Sequence, residues 1–239
     1  MSKFWLYEDM LSKDMGYRLF GIEHIAIIVL VIFLIIISVY LYNRLSNRDK
    51  IKHMLGIASI CLIIVRIIYC LCIDRMSVYE LPLHLCSIAG ILSCINACSR
   101  KKLINGALFC VFLPGLISAI IFPNGNMYPV FSFITIQSFL FHGITIIYII
   151  FEYIDEENFM FSRNSISSIC TLLCIVPVVA MLNKVLNTNY LFLRWPSMGS
   201  PLELIYKGNY GLYLIKYSVI VLFIIMIFDL SLFLLKNRN

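Results

Sequence analysis

The sequence predicts an all-α fold: a polytopic membrane helix bundle of seven transmembrane helices, with the N-terminus outside and the C-terminus inside. Three observations carry this. Of 239 residues, 61% are hydrophobic and 13% are charged, against about 45–50% and about 25% in soluble domains. Mean hydropathy is +0.92. The apolar residues form continuous, helix-length runs separated by short clusters of Lys and Arg. An ordinary cytosolic enzyme, a disordered chain and a nucleic-acid binder are excluded, because the net charge of +6 sits in those clusters. The alternation of a membrane β-barrel is absent. With no internal repeat or low-complexity linker, residues 1–239 read as a single integral membrane domain.

A spanning helix needs about 20 mainly apolar residues. The runs lie at about 22–42, 54–73, 82–98, 103–122, 130–151, 166–182 and 212–235. The first follows a polar and aromatic segment without a small-residue cleavage site, so it reads as a retained helix rather than a signal peptide. The second follows Arg44, Arg48, Lys50 and Lys52. The third opens with Glu80-Leu81-Pro82-Leu83-His84-Leu85-Cys86, and Pro82 suits the first helical position, where its missing N–H would be unpaired anyway. This run is short. With its basic end (Arg100, Lys101, Lys102) inside, its N-terminus lies below the outer surface, where irregular backbone is tolerated only if buried or lining a cavity. The fourth and fifth runs are joined by an uncharged turn, Phe122 to Pro129, and the fifth ends at Asp155, Glu156 and Glu157. The stretch from Asn183 to Gly211, with Asn187, Asn189, Tyr190, Phe192 and Trp195, is aromatic in the way of membrane interfaces. It reads equally as a half-embedded lid or as a plain interfacial loop. Lys236 and Arg238 close the seventh run. The positive-inside rule places the three basic clusters inside, in a multi-pass protein of the cell membrane.

Polar and ionisable residues within spans are costly and are functional candidates by default. At about 1.5 Å per residue, Arg66 lies about 20 Å above the start of the second run. Cys86 and His84 lie about 20 and 23 Å above the end of the third, and His142 about 15 Å above the end of the fifth. These four side chains share one level in the outer half of the membrane, with His24 somewhat higher. Cys86, Gly90, Ser93 and Ala97 form a face of small residues, suited to close helix packing or to an acyl chain. His84 stands roughly 200° around a regular helix from Cys86; a direct dyad needs an irregular first turn, and otherwise His84 has another task. Thr135, Ser138, His142 and Thr145 line one helix face, as interhelical hydrogen bonds or as part of a site. Arg66 has a fork of donors suited to a lipid phosphate, or it forms a structural ion pair. Asp229 lies too far inside to join this group and reads as a packing or ion-pair residue. The nine cysteines all fall in the runs, which is not a secreted disulfide framework. No metal or other cofactor is expected: a metal hydrolase built on His24, His84 and His142 lacks an HExxH motif.

At these residues the chain resembles the YwaF-like family of bacterial integral membrane proteins, related to eukaryotic transmembrane protein 164. The resemblance runs over nearly the whole chain. It is carried by Leu19-Phe20-Gly21 with His24, by Leu81-Pro82-Leu83-His84-Leu85-Cys86, and by Phe122-Pro123. It continues in Ser138-Phe139-Leu140-Phe141-His142-Gly143 and in Asn187-Thr188-Asn189-Tyr190-Leu191-Phe192-Leu193 with Pro196. The one departure is Arg194-Trp195-Pro196, where a lysine is expected before the proline. The resemblance implies an acyltransferase that moves fatty acyl chains between glycerophospholipids through a cysteine thioester, with Cys86 as nucleophile and His84 or His142 as base.

The residues themselves fit such chemistry, which needs a nucleophile, a base and an oxyanion-stabilising group. Free N–H groups at the start of the third helix, or His84, would serve the last role. Arg66, His24, Asn187 and Tyr190 are the expected substrate-binding residues. A site in the outer half has no access to cytosolic acyl-CoA, so the expected partners are membrane phospholipids. The alternative is a non-enzymatic lipid or small-molecule transporter or receptor, although no pair of broken helices suggests an inverted repeat.

Overall fold

The computed structural model describes residues 3–12, 15–99, 101–156, 161–197, 199–206 and 208–237. Arg100, Glu157 and Arg238, which entered the charge argument, lie outside them. Among the described residues every regular element is helical. α1 is Ile22–Tyr42, α2 Arg48–Cys72 and α3 Leu85–Ser99. Lys102–Ala107, a π turn over Leu108–Phe112, and Leu113–Ile121 follow without a break and form α4. α5 is Phe133–Asp155, α6 Arg163–Leu186 and α7 Tyr210–Lys236. Six of these are long and apolar enough to cross a membrane. α3, with 15 residues, spans about 22 Å, short of a hydrocarbon core of about 30 Å.

Hydropathy placed α1 where it lies, but it missed the charged ends of others. α2 begins at Arg48 rather than Met54, and α5 continues to Asp155. The two extensions meet: Lys52 lies 2.9 Å from Asp155, Arg48 3.3 Å from the same carboxylate, and the Tyr42 hydroxyl donates to it at 2.5 Å. At the same end Lys236 donates to the carbonyls of Tyr153 and Ile154. The basic start of α2, the acidic end of α5 and the end of α7 therefore gather at one end of the bundle.

α4 is the central helix, with Leu108, Phe109, Phe112 and Leu116 fully buried. Its π turn comes just before Pro114, which cannot donate to the helical ladder and whose ring would crowd a regular turn. α1, α6 and α7 keep most of their apolar surface exposed, as lipid-facing helices do. The small face of α3 is a packing surface. A Cβ on Gly90 would lie 2.7 Å from the Phe141 ring of α5 and 3.1 Å from Ile63 of α2. One turn further, a Cβ on Gly56 would lie 2.7 Å from Cβ of Ala97. Of the two readings of that face, close helix approach is the one realised at Gly90 and Ala97.

Asp229 of α7 accepts from the backbone N–H groups of Ser162 and Ser165, from the Ser165 hydroxyl and from the Asn164 amide. It caps the start of α6 from another helix, where the unpaired N–H groups and the positive end of the dipole favour a carboxylate.

Candidate functional site

The site is organised by the connection between α2 and α3. Pro82 does not open α3. The Leu83 N–H bonds to the Leu81 carbonyl at 2.7 Å, closing a three-residue turn about the proline. The first helical bond runs from the Ile88 N–H to the His84 carbonyl at 3.0 Å. His84 therefore stands at the entry to the helix, outside its regular turns, and Cys86 lies within the first turn. That is the irregular start a His84–Cys86 dyad requires, yet the imidazole is otherwise engaged. It meets the Tyr190 ring edge-on at 4.9 Å and lies 5.9 Å from Phe192.

Tyr190 is fully buried and its hydroxyl donates to the Val78 carbonyl. Its own backbone is held by Asn183, whose side chain accepts from the Tyr190 N–H and donates to the Tyr190 carbonyl. Asn189 binds in the same manner across the loop, accepting from the Arg194 N–H and donating to the Trp195 carbonyl. Asn187 accepts through its amide oxygen from Arg194, and through its carbonyl from the Tyr79 hydroxyl. The stretch 187–195 is thus a folded wall built by asparagine side chains and pinned to the α2–α3 connection. Asn187 and Tyr190, expected to bind substrate, form this wall.

Arg66 has an acidic partner. Its guanidinium lies 2.7 Å from Glu80 through Nε and 3.3 Å through a terminal nitrogen. Tyr7 donates to the same carboxylate at 2.8 Å. Burial alone would raise the pKa of Glu80; the hydrogen bonds and charge of Arg66, with the Tyr7 hydroxyl, more than offset this and hold it below its ordinary 4.5. The ion-pair reading of Arg66 is the one realised here.

The histidines differ in what their nitrogens are doing. His24 is fully buried; its Nδ1 accepts from the Phe20 N–H at 3.1 Å, which leaves Nε2 protonated and donating to the Ile120 carbonyl at 3.0 Å. Both nitrogens are used, and the ring straps the start of α1 to the end of α4. His142 places Nδ1 2.6 Å from the Ser138 carbonyl. A carbonyl only accepts, so Nδ1 carries the proton and Nε2 keeps a lone pair. Among the described residues neither Nε2 of His142 nor the Cys86 sulfur is hydrogen-bonded to another residue, and Cys86 packs against the main apolar core.

Glu80, Tyr7, Asn183 and Thr188 are the members that sequence reasoning missed. Asn183 and Thr188 hydrogen-bond one another at 3.0 Å. A signal existed for Glu80, an acid fourteen residues after an intramembrane arginine. Among the described residues no cluster of three or more metal-ligating side chains occurs.

The TMEM164 family pattern matches residues 19–229. The chain belongs to the TMEM164 family. No curated protein and no solved structure matches it. The match takes in α1 to the Asp229 cap and contains Arg66, Glu80, His84, Cys86, His142 and the 187–195 wall.

Proposed function

We propose that this TMEM164-family protein is a membrane-embedded acyltransferase that moves fatty acyl chains between glycerophospholipids through a Cys86 thioester, without CoA. In this reading it is a YwaF-like member with seven crossings, N-terminus outside and C-terminus inside, and its site faces the outer half of the cell membrane. The reading is supported by two groups on neighbouring helices: a thiol in the first turn of α3 with no hydrogen-bond partner among the described residues, and an imidazole on α5, His142, whose Nδ1–H is tied to Ser138 and whose Nε2 keeps its lone pair.

The chemistry balances on these groups. Nε2 of His142 takes the Cys86 proton, and the thiolate adds to an ester carbonyl of a donor phospholipid. Free N–H groups in the first turn of α3 stabilise the oxyanion. The C–O bond breaks, the departing lysophospholipid oxygen takes the proton from His142, and the acyl group rests on sulfur. The hydroxyl of an acceptor lysophospholipid then gives its proton to His142 and attacks the thioester. The C–S bond breaks and the thiol is restored. For the first step Nε2 and the sulfur must close to about 3 Å when lipid enters. His84, held against Tyr190 and Phe192, positions the entry to α3, and the Arg66–Glu80 ion pair fixes the connection that leads into it.

The test is acyl exchange by purified protein in vesicles holding a labelled donor phospholipid and a lysophospholipid acceptor. Wild type should exchange label and carry a hydroxylamine-labile acyl adduct, and Cys86→Ala should lose both. Exchange by Cys86→Ala at the wild-type rate overturns the proposal. A non-enzymatic lipid transporter or receptor is the second reading, favoured by the lack of a thiol–imidazole hydrogen bond. It requires lipid binding with no labile adduct.

A further inference from the structure

A groove of about 450 Å³ lies outside the site just described, lined by Ala180, Lys184, Arg194, Trp195 and Tyr210. Ala180 and Lys184 are one turn apart near the end of α6, Arg194 and Trp195 belong to the wall 187–195, and Tyr210 opens α7. Both cations lack an acidic partner: among the described residues neither Lys184 nor Arg194 makes a salt bridge. Arg194 is held by neutral oxygens, the amide oxygen of Asn187 at 2.8 Å and the Thr188 carbonyl at 3.2 Å. Its guanidinium sits 4.8 Å above the Trp195 ring. The group is thereby fixed in place with its charge uncompensated, which is how a preorganised anion site is made.

The surroundings say what kind of anion. Trp195 and Tyr210 are 43% and 53% exposed, amphipathic rings of the type found at headgroup level. Below the groove, α6 exposes Leu173 and Val178 and α7 exposes Ile215 and Val219. A cationic groove with an aromatic rim and apolar helix faces beneath it matches a phosphate that carries acyl chains.

We propose that this groove binds the phosphate of an anionic phospholipid headgroup, with the acyl chains lying along the exposed faces of α6 and α7. Two cations, one of them held in place, favour a net negative headgroup over a zwitterionic one, whose ammonium they oppose. The groove shares its wall with the candidate site, since Phe192, two residues before Arg194, lies 5.9 Å from the His84 ring. Lipid held here is therefore beside the site whether or not the site transfers acyl groups.

The experiment measures binding of dioleoyl-phosphatidylglycerol and dioleoyl-phosphatidylcholine to the full chain in detergent by native mass spectrometry, independent of turnover. Wild type should prefer phosphatidylglycerol at least about fivefold. Lys184→Gln should weaken its binding about tenfold, or about 1.4 kcal/mol. Lys50→Gln, at the opposite end of the bundle, should leave it unchanged. Glycerophosphate, which has the phosphate and no chains, should not displace the lipid at equal concentration. Equal binding of the two lipids, or an unaltered preference in Lys184→Gln, overturns the proposal. So does displacement by glycerophosphate, which makes a free phosphate the ligand. A fourth overturning result is a Lys184→Gln protein with lower thermal stability in both lipids but intact lipid preference, which leaves Lys184 only as a charge at a helix C-terminus.

Discussion

The two ends of the bundle treat their polar side chains in opposite ways. At one end two carboxylates, Asp229 and Asp155, are fully engaged. Asp229 is wholly buried and accepts four hydrogen bonds at the start of α6, and Asp155 is shared by Arg48, Lys52 and Tyr42. At the other end part of the inventory is consumed and part is spare. Glu80 takes Arg66 and Tyr7, and His24 spends both nitrogens. The Cys86 thiol and Nε2 of His142 have no such partner. Apolar surroundings make an unused polar group costly, so engaged carboxylates such as these are what stability alone produces. The spare groups mark where the chain keeps chemical capacity.

That contrast can be broken by substitution. The largest expected effect is at His142. Its replacement by Ala should lower acyl exchange about 10²–10⁴-fold, the usual worth of a positioned base, with little change in thermal stability; exchange kinetics beside a melting curve checks both. A melting loss with unchanged exchange would make His142 another saturated structural residue. Next comes Asp229→Ala, which strands buried donors at the start of α6. It should cost about 2–4 kcal/mol, read as a lower unfolding midpoint in detergent, while exchange measured below that midpoint stays near wild type. Smallest is the pH response of Glu80. Its folded pKa is held below 4.5, so its contribution is complete above that value and is lost as pH falls through the folded pKa. Acidification below about pH 4.5 should loosen the α2–α3 connection, seen as faster hydrogen exchange at residues 77–84, and Glu80→Gln should flatten that dependence.

Much of the helix inventory could be read directly, because a long apolar run has few alternatives to a helix in a membrane. The ends could not. α2 and α5 extend past their apolar cores only because Arg48 and Lys52 find Asp155, and a hydropathy count sees the charges without the pairing. Pro82 was a sound candidate for a first helical residue, but the turn closed by Leu81 and Leu83 displaced the helix start to Leu85. At the candidate site, counting residues singled out Arg66, His84 and His142 as polar side chains within or beside apolar runs. The separation of roles did not: nothing local distinguishes His24, which ties α1 to α4, from His142, whose second nitrogen is unspent.

Sequence alone determined that this chain is helical and built for a membrane, since composition and run length are properties of the polymer and the solvent. It also determined which rare polar residues fall within the apolar runs, because their positions are fixed by the chain itself. Only the tertiary structure decided which of them are neutralised. A hydrogen bond or ion pair is a relation between segments far apart in the chain, as Tyr7 with Glu80 and His24 with Ile120 are. The angular placement that makes or denies such a pair is set by how the helices pack.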